Sequence, residues 1–396
     1  MHHKLPFSAA DILIPDTDLR TWSTIACDQF TSQSEYWNNV KEEVGDSPSC
    51  LNITLPEIYL NDDPDRRIAD INKTMRQYLS SGLFTEYKDA LILVEREVSN
   101  GKVRRGLVGK FSLDDYDYDC SAASAIRPTE GTVRSRIPAR VNIRKDAPLE
   151  LPHIMILMDD GGKMLLESID TGEQKLLYDF ELMLGGGRIR GWLLSDAAKK
   201  EILSELEALS DACAGSGKML FAVGDGNHSL AAAKASAGLI GTPEARYALA
   251  ELVDIHSDGI EFEPIYRVVF NIETDDFIKK LRRRFPEKQG RKVEFLSAHT
   301  GGEVYVNGLE ADVLQRFIDD YISCHAGAEV DYIHGADTVR ELSGKENTVG
   351  FIFGGMDKGE LFDYVSTNGV LPRKTFSIGQ AADKRYYLEA RIINRN

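Results

Sequence analysis

The segment at residues 219–238, MLFAVGDGNHSLAAAKASAG, constrains the fold more than any other part of the chain. Its apolar start at 220–223 is typical of a buried strand, and its alanine-rich end is typical of a helix. Gly224 and Gly226 lie between the two, where the chain must turn sharply and can approach a ligand closely. The segment therefore predicts a strand, a tight turn and a helix that stops at Gly238.

The turn combines reactive side chains with backbone groups that favour an anion. The first N–H groups of a helix have no partner within it and carry partial positive charge, so the backbone at Gly226 and Asn227 can seat a phosphate. Asn227 or Ser229 can cap the helix. His228 can donate to a phosphate or act as an acid, and Asp225 can hold Mg²⁺ or accept a proton. A plain strand-to-helix turn, with its polar residues chosen for turn chemistry, explains the same residues equally well. The predicted phosphate contacts of the turn are Gly224, Gly226, Asn227 and Ser229.

Regular elements alternate along most of the chain. Hairpins are predicted at 90–113, through Ser99-Asn100-Gly101, and at 153–170, through Gly161-Gly162. The remaining predictions are helices at 196–214, 275–285 and 311–324 and strands at 348–355 and 384–393. This pattern predicts an α/β (α+β) chain with mixed β-sheets and additional helical segments.

The sequence contains no repeat, low-complexity tract or Pro/Gly linker that divides it cleanly. Its weakest seam is at 271–275, where an apparent strand gives way to a charged helical segment. We therefore expect an N-terminal mixed α/β region at 1–150 and a core with the turn at 151–272. The C-terminal α/β region at 273–396 can pack with the core as one unit.

Charge and cysteine usage restrict the partners and the compartment. The formal net charge is −16, from 63 acidic and 47 basic side chains, and such a field repels nucleic acid. The five cysteines form no Cys-x-x-Cys pair, which suits reduced thiols. No segment resembles a signal peptide or a membrane span. The expectations are a cytoplasmic protein with a small-molecule substrate, no nucleic acid or membrane partner, and a homo-oligomer as one option.

Basic residues gather at 126–145, where Glu130 is the only acidic residue. Arginines at this density suit phosphate or carboxylate, so Arg136 and Arg140 are candidate phosphate contacts. Glu130 is a candidate general base. A solvated charged loop is the alternative. Lys374, in the segment LPRKTFSIG, is a candidate for a second phosphate contact, and an exposed strand edge explains it equally well.

Several other reactive residues are interpreted as structural. Trp22 and Trp37 are assigned to the core, and His153 is expected to be structural. Cys27 has no sequence signal for a low pKa, so no nucleophilic role is predicted for it. No spacing in the chain resembles a zinc site.

The chain resembles the bacterial family called domain of unknown function 1015. The resemblance covers nearly the whole length and rests on segments in the family's order, among them WSTIACDQFTSQSEYW, AIRPTEGTVRSRIPARV, GDGNHSLAAAKA and DKRYYLEAR. The central motif is also similar to the Asp-Gly-x-His-Arg turn of the ParB and sulfiredoxin-like superfamily, which includes free-serine kinases. Asp225, Gly226 and His228 match that turn. Ser229 stands where the superfamily often has arginine, and Tyr266 stands where relatives often have histidine.

The resemblance implies a nucleotide phosphate at the start of this helix. The first functional hypothesis is a kinase-like phosphotransferase that uses ADP or ATP with Mg²⁺ on a small hydroxylated metabolite such as free serine, or the reverse dephosphorylation. In this scheme Asp225 and His228 hold the phosphates and the metal, and Glu130 accepts the substrate proton. Arg136 and Arg140 stabilise the transferred charge.

Two alternatives belong to other classes. The first is a nucleotide-binding regulatory protein of the ParB-like type, without metabolite chemistry. The second is a sulfiredoxin-like redox role, which needs a reactive cysteine in the turn, where Asn227 stands instead.

Overall fold

The computed structural model describes residues 4–119, 124–216 and 218–395, without the side chains of 215 and 216. The chain forms two compact units. The first comprises residues 1–260, 362–369 and 379–396, and the second comprises residues 261–361 and 370–378. This division differs from the three regions expected from sequence in two ways. The main sheet of the first unit contains strands from both sides of residue 150, and the expected seam at 271–275 lies inside the second unit.

The first unit contains most of the regular elements. Its helices are α1 (Leu19–Trp22), α2 (Ser34–Val44), α3 (Pro64–Ser80), α4 (Ile137–Arg144), α5 (Asp196–Ser216), α6 (Asn227–Ile240) and, between the two segments of the second unit, α10 (Leu361–Asn368). Its strands are β1 (Phe7–Ser8), β2 (Ala10–Pro15), β3 (Phe84–Ala90), β4 (Ile92–Glu97), β5 (Val103–Ser112), β6 (Ile126–Pro128), β7 (Leu149–Glu150), β8 (Met155–Met158), β9 (Lys175–Glu181), β10 (Arg188–Leu193), β11 (Phe221–Asp225), β12 (Tyr247–Asp254) and β19 (Arg391–Ile392).

A nine-stranded mixed sheet forms the centre of the first unit, in the order β6-β11-β8-β12-β5-β4-β10-β9, with β1 also paired to β5. The pairs β6–β11 and β8–β12 are parallel, and the others are antiparallel. Helices α5 and α6 contribute Leu206 and Leu230 to the core on one face of this sheet. Helix α2 contributes Trp37 to the core on the other face. The predicted α/β class with mixed sheet is confirmed.

The hairpin predicted at 90–113 is confirmed, because β4 and β5 pair antiparallel with Ile92 opposite Val108. The hairpin predicted at 153–170 is wrong. Strand β8 pairs with β11 and β12 on its two edges, so no edge remains for a returning strand. The Asp160 carboxylate accepts backbone N–H groups of Gly162, Lys163 and Leu165 at 2.8–2.9 Å, which folds this segment into a compact loop.

The strand predicted at 384–393 is also largely wrong. The segment makes single bridges, at Tyr386 with Ile25 and at Ala390 with Leu13, and only Arg391–Ile392 pairs as a strand, with β7. Its apolar side chains are buried because the whole segment lies in the core, so their pattern does not indicate a regular strand.

Helix α6 extends two residues beyond the stop predicted at Gly238. It ends at Gly241, which has φ of 76° and caps the helix in the left-handed conformation. The helices predicted at 196–214, 275–285 and 311–324 and the strand at 348–355 are all confirmed.

The second unit is an antiparallel sheet with helices. Its elements are β13 (Phe262–Phe270), α7 (Thr274–Arg284), β14 (Arg291–Leu296), β15 (Gly301–Val306), α8 (Glu310–Cys324), β16 (Glu329–His334), α9 (Ala336–Ser343), β17 (Val349–Phe353) and β18 (Phe376–Ile378). The strand order is β15-β14-β17-β13-β16, and β18 pairs with β13. Tyr266 lies in β13, opposite Ile333.

Two further observations concern the expected compartment. No helix in the described part of the chain has both the length and the apolar character needed to span a membrane. Cys27, Cys50, Cys213 and Cys324 are free thiols, and Cys120 lies outside the described residues.

Candidate functional site in the first unit

The predicted turn forms at the end of β11, and a glycine starts the helix. Gly226 has φ of 76° and is the N-cap of α6, without a side-chain cap. Its carbonyl accepts the N–H groups of Ser229 and Leu230, both at 3.0 Å. The prediction that Asn227 or Ser229 caps the helix is therefore wrong. A β-carbon at position 226 would lie 3.0 Å from the Cα of Ile154, so the position requires glycine for space as well as for conformation.

The Asp225 carboxylate is held at both oxygens. Its Oδ1 accepts the backbone N–H of Gly226 at 3.0 Å, and its Oδ2 lies 3.5 Å from Nζ of Lys384. Lys384 is buried, with a relative exposure of 8%. A basic side chain from the C-terminal segment therefore lies beside the turn, and sequence reasoning did not find it.

Asn227 and His228 contact the loop that contains Glu130. The amide of Asn227 donates to the backbone carbonyl of Glu130 at 3.0 Å and accepts the Tyr116 hydroxyl at 3.2 Å. The backbone N–H of Val133 donates to Nε2 of His228 at 3.2 Å. Because Nε2 is an acceptor in this contact, the imidazole of a neutral His228 carries its proton on Nδ1. The structure thus brings Glu130 to the turn through its backbone.

Ser229 contacts a buried histidine. Its Oγ lies 2.9 Å from Nε2 of His153, and Nδ1 of His153 lies 2.9 Å from the Tyr387 hydroxyl. The Tyr387 oxygen also accepts the backbone N–H of Cys27 at 3.2 Å. A carboxylate oxygen of Asp28 lies 4.0 Å from Nε2 of His153. Four segments of the chain therefore meet at the first turn of α6.

A cavity of about 140 Å³ opens beside these side chains. Its polar wall includes Ser229, His153, Tyr387 and Arg140. The rest is mainly apolar, with Ile53, Leu55, Met75, Ile143, Ile154 and Ala232. An apolar cavity of this size accommodates a compact group comparable to a benzene ring.

The basic side chains that were predicted as phosphate contacts lie in different parts of the structure. Arg140 is largely buried and forms an ion pair with Glu57. Arg136 is exposed, and its carbonyl accepts the Nη1 donor of Arg140 at 3.1 Å. Lys374 belongs to the second unit, where its side chain is exposed and its carbonyl accepts a 2.8 Å bond from Arg267. The structure therefore brings Arg140, but not Arg136, to the cavity.

Burial and neighbouring charges set the ionisation of Cys27 and Asp28. Burial, reinforced by the charge of Asp28, raises the pKa of Cys27 to about 12, so its thiol stays protonated at neutral pH. Burial also acts to raise the pKa of Asp28. The opposing effects of His153, Gln29 and nearby cations are larger together, and they hold the pKa of Asp28 below its usual value. Asp28 is therefore an anion beside His153, and Cys27 is not an activated nucleophile, as predicted.

The family model described as "Protein of unknown function (DUF1015)" matches residues 5–332. The chain belongs to this family. The match covers the turn, the loop with Glu130, and His153, whereas Tyr387 and Lys384 lie beyond it. A search among curated proteins found no match.

The family member is similar to several solved structures at low identity. A mutant free serine kinase in complex with AMP is 14% identical, with a TM-score of 0.40, and the match covers 72% of this chain and 88% of that chain. A mutant free serine kinase in complex with ADP is 12% identical, with a TM-score of 0.39 and coverages of 74% and 90%. C-terminally truncated SbnI from Staphylococcus aureus is 11% identical, with a TM-score of 0.37 and coverages of 68% and 82%.

Metal binding by this DUF1015 protein was predicted at Asp225. Across the described ranges, no group of three or more His, Cys, Asp or Glu side chains is arranged to hold a metal ion. Asp225 offers one carboxylate, which Lys384 partly neutralises. The side chains present suit a metal ion that arrives with its own phosphate ligands better than an ion held by protein alone.

Sequence reasoning treated His153 as structural and named neither Asp28 nor Tyr387 as site residues. These three side chains belong to the segments LELPH, ACDQF and KRYYLEAR, which are far apart in sequence. The available signal was that Asp28 and Tyr387 lie in two of the segments quoted for the family resemblance. Their spacing along the chain predicts no contact.

Proposed function

We propose that this protein is a nucleotide-dependent phosphotransferase that acts on a small hydroxylated molecule. One observation carries the proposal: a glycine-started helix and an open cavity meet at Ser229. The helix start favours phosphate through its N–H groups and its dipole. The cavity beside it can take a second molecule, so a phosphate donor and its acceptor would lie close together.

The residues of the turn would bind the phosphates. The backbone at Gly226 and Asn227 supplies N–H groups, and that of Gly226 would have to leave the Asp225 carboxylate to which it donates. Gly224 lets the chain approach the ligand. Lys384 and Arg140 place positive charge on two sides of this region, although each is paired with a carboxylate. Phosphoryl transfer depends chiefly on positioning and charge stabilisation, which such an arrangement provides.

Mg²⁺ would enter with the nucleotide, with Asp225 as its protein ligand. The ion would neutralise phosphate charge, and Lys384 would have to release the Asp225 oxygen that it contacts at 3.5 Å. His228 would donate to a phosphate through Nδ1, because its Nε2 accepts from Val133. Arg136 remains a candidate phosphate contact from an exposed position in the first unit.

Glu130 would accept the proton of the substrate hydroxyl, since its backbone is bonded to the turn. Free serine is the simplest hydroxylated substrate, and the same groups could run the reverse dephosphorylation. Free serine kinases with AMP or ADP are among the structural neighbours. Their TM-scores are 0.40 or lower, so this likeness adds no support.

Thermal-shift measurements test the proposal directly, because a ligand that binds the folded state raises the melting temperature. The ligands are ADP, ATP, CTP and pyrophosphate with Mg²⁺, each with and without serine or phosphoserine. We expect a nucleotide shift that is lost in Asp225→Ala and kept in Glu130→Ala, with phosphoryl transfer lost in both. The absence of a shift with every nucleotide would contradict the proposal. Binding without transfer to any hydroxyl compound would favour the regulatory alternative.

A further inference from the structure

The contacts of Tyr387 orient the imidazole of His153. The Tyr387 oxygen accepts from the backbone N–H of Cys27 at 3.2 Å and lies 2.9 Å from Nδ1 of His153. In the tautomer that carries its proton on Nδ1, His153 donates to this oxygen.

The other nitrogen of His153 is then a free base directed at Ser229. With the proton on Nδ1, the Nε2 lone pair accepts the Ser229 hydroxyl at 2.9 Å. A hydroxyl, a base within hydrogen-bond distance and a third group that orients the base are the arrangement that activates a serine nucleophile. His153 and Tyr387 are buried, with relative exposures of 7% and 3%, which keeps this geometry fixed.

Asp28 supports the charged form of the base. Its carboxylate oxygen lies 4.0 Å from Nε2, and its pKa is held below the usual value, so it is negative when His153 takes up a proton. A negative charge at this distance stabilises the imidazolium. Cys27 is excluded as the nucleophile of this cavity because burial raises its pKa to about 12.

We propose that Ser229 is a nucleophile activated by His153 and oriented through Tyr387, and that it carries the phosphoryl group during transfer. This inference rests on the proposed phosphotransferase function and adds a covalent phosphoserine intermediate to it. Ser229 lies in the first turn of α6 and also lines the cavity, so it faces both the phosphate position and the acceptor position.

The transfer takes place in two balanced steps. In the first, the Ser229 Oγ–P bond forms as the bridging P–O bond of the nucleotide breaks. The hydroxyl proton moves to Nε2 of His153, and the nucleotide leaves one phosphate shorter. In the second, the acceptor oxygen attacks phosphorus and gives its proton to Glu130. The Oγ–P bond breaks, and His153 returns its proton to Ser229.

The first experiment reads the reactivity of Ser229 without a nucleotide. The full chain is treated with diisopropyl fluorophosphate, which phosphorylates activated serines, and the modified peptide is located by mass spectrometry. We expect labelling at Ser229, none in Ser229→Ala, and labelling slowed by about 100-fold or more in His153→Gln, the usual contribution of a general base. Tyr387→Phe keeps the ring and removes the acceptor, and it should slow labelling by a smaller factor.

Ser236→Ala is the matched control, because Ser236 is buried on the same helix and bonds only a helix carbonyl, that of Ala233. The Ser236→Ala variant should react with the fluorophosphate at Ser229 as fast as the wild type does. Circular dichroism of His153→Gln shows whether the variant is folded. If it is not, Tyr387→Phe decides whether the base matters.

The second experiment detects the intermediate. The protein is mixed with ATP or ADP and Mg²⁺ without an acceptor, quenched, and mapped for an added phosphate on Ser229. Phosphoserine at this position, lost in His153→Gln, supports the inference. Nucleotide binding and consumption without phosphoserine, and with activity kept in Ser229→Ala, would overturn the carrier role and leave the proposed function standing. Labelling by the fluorophosphate without any nucleotide shift would instead count against the proposed function.

Discussion

Two regions of the first unit form the site in different ways. The turn at residues 224–229 lies at the end of a regular strand, and its half-buried side chains mostly contact backbone groups. The segment at residues 383–391 has almost no regular structure, and it is buried throughout. The turn therefore depends on local conformation, whereas the C-terminal segment depends on long-range contacts.

Buried charges hold the C-terminal segment in place. Arg385 donates to Glu251 at 2.8 Å and to Glu389 at 2.7 Å, and it also donates to the carbonyls of Pro152 and Tyr386. Arg391 donates to Glu150 in the same way. Because Lys384 and Tyr387 flank Arg385, the ion pairs that stabilise the segment also position the groups beside the turn. Stability and binding should therefore separate: changes in the segment should affect unfolding most, and changes in the turn should affect binding most.

The largest expected effect on stability is that of Arg385→Met. This variant keeps much of the side-chain volume but leaves Glu251 and Glu389 buried without their main partner. Breaking a buried pair in this way costs about 3–5 kcal/mol of unfolding free energy, to be measured by urea denaturation. Arg188→Ala is the control, since its ion pair with Asp179 is largely exposed, and its midpoint should stay close to that of the wild type. Equal effects of the two substitutions would contradict the role assigned to the segment.

The next largest effect is a dependence of stability on pH, caused by Asp254. This residue lies beside the end of β8 that is farther from His153. Burial raises the pKa of Asp254 from 3.8 to about 7, and the neighbouring Asp160 adds to the rise. The folded state then holds its proton more tightly than the unfolded chain, so stability falls as the pH rises from about 4 through 7. The loss is on the order of 2 kcal/mol.

Asp254→Asn should remove this slope and leave the protein more stable than the wild type at pH 8. Asp258→Asn, at an exposed position of the same loop, should leave the slope unchanged. Melting temperatures between pH 5 and 8 give the comparison. A wild-type protein that gains stability over this range would show that Asp254 is not protonated in the fold.

Of the three substitutions, Gly226→Ala should change the stability of the protein least. It should weaken nucleotide binding most. The left-handed conformation costs an alanine about 1–2 kcal/mol, and the added methyl group must displace Ile154. Gly238→Ala is the matched control on the same helix. Among the described residues, no atom outside its own stretch of helix lies within 4 Å of a β-carbon at position 238, so the substitution should stabilise the protein by about 0.5 kcal/mol. Unfolding curves and nucleotide thermal shifts should show lost binding in the first variant and normal binding in the second.

The same two regions show how far the sequence predicts the structure. The turn was predictable because its glycines, its apolar strand and its helix are adjacent, and only the cap and the helix end were wrong. The contact of His153 with Tyr387 joins residues 234 positions apart, and no local pattern signals it. The hairpin at 153–170 failed because both edges of β8 were already paired, which only the full sheet reveals. The last segment resembled a strand because a chain buried on all sides is also rich in apolar residues.

A crystal structure of the protein with Mg²⁺ and ADP tests the central claim most directly. We expect the phosphates to lie at the first turn of α6, within hydrogen-bond distance of the backbone between Gly226 and Ser229, with Asp225 facing the metal ion. A nucleotide bound elsewhere on the chain, with this turn free of phosphate, would contradict it.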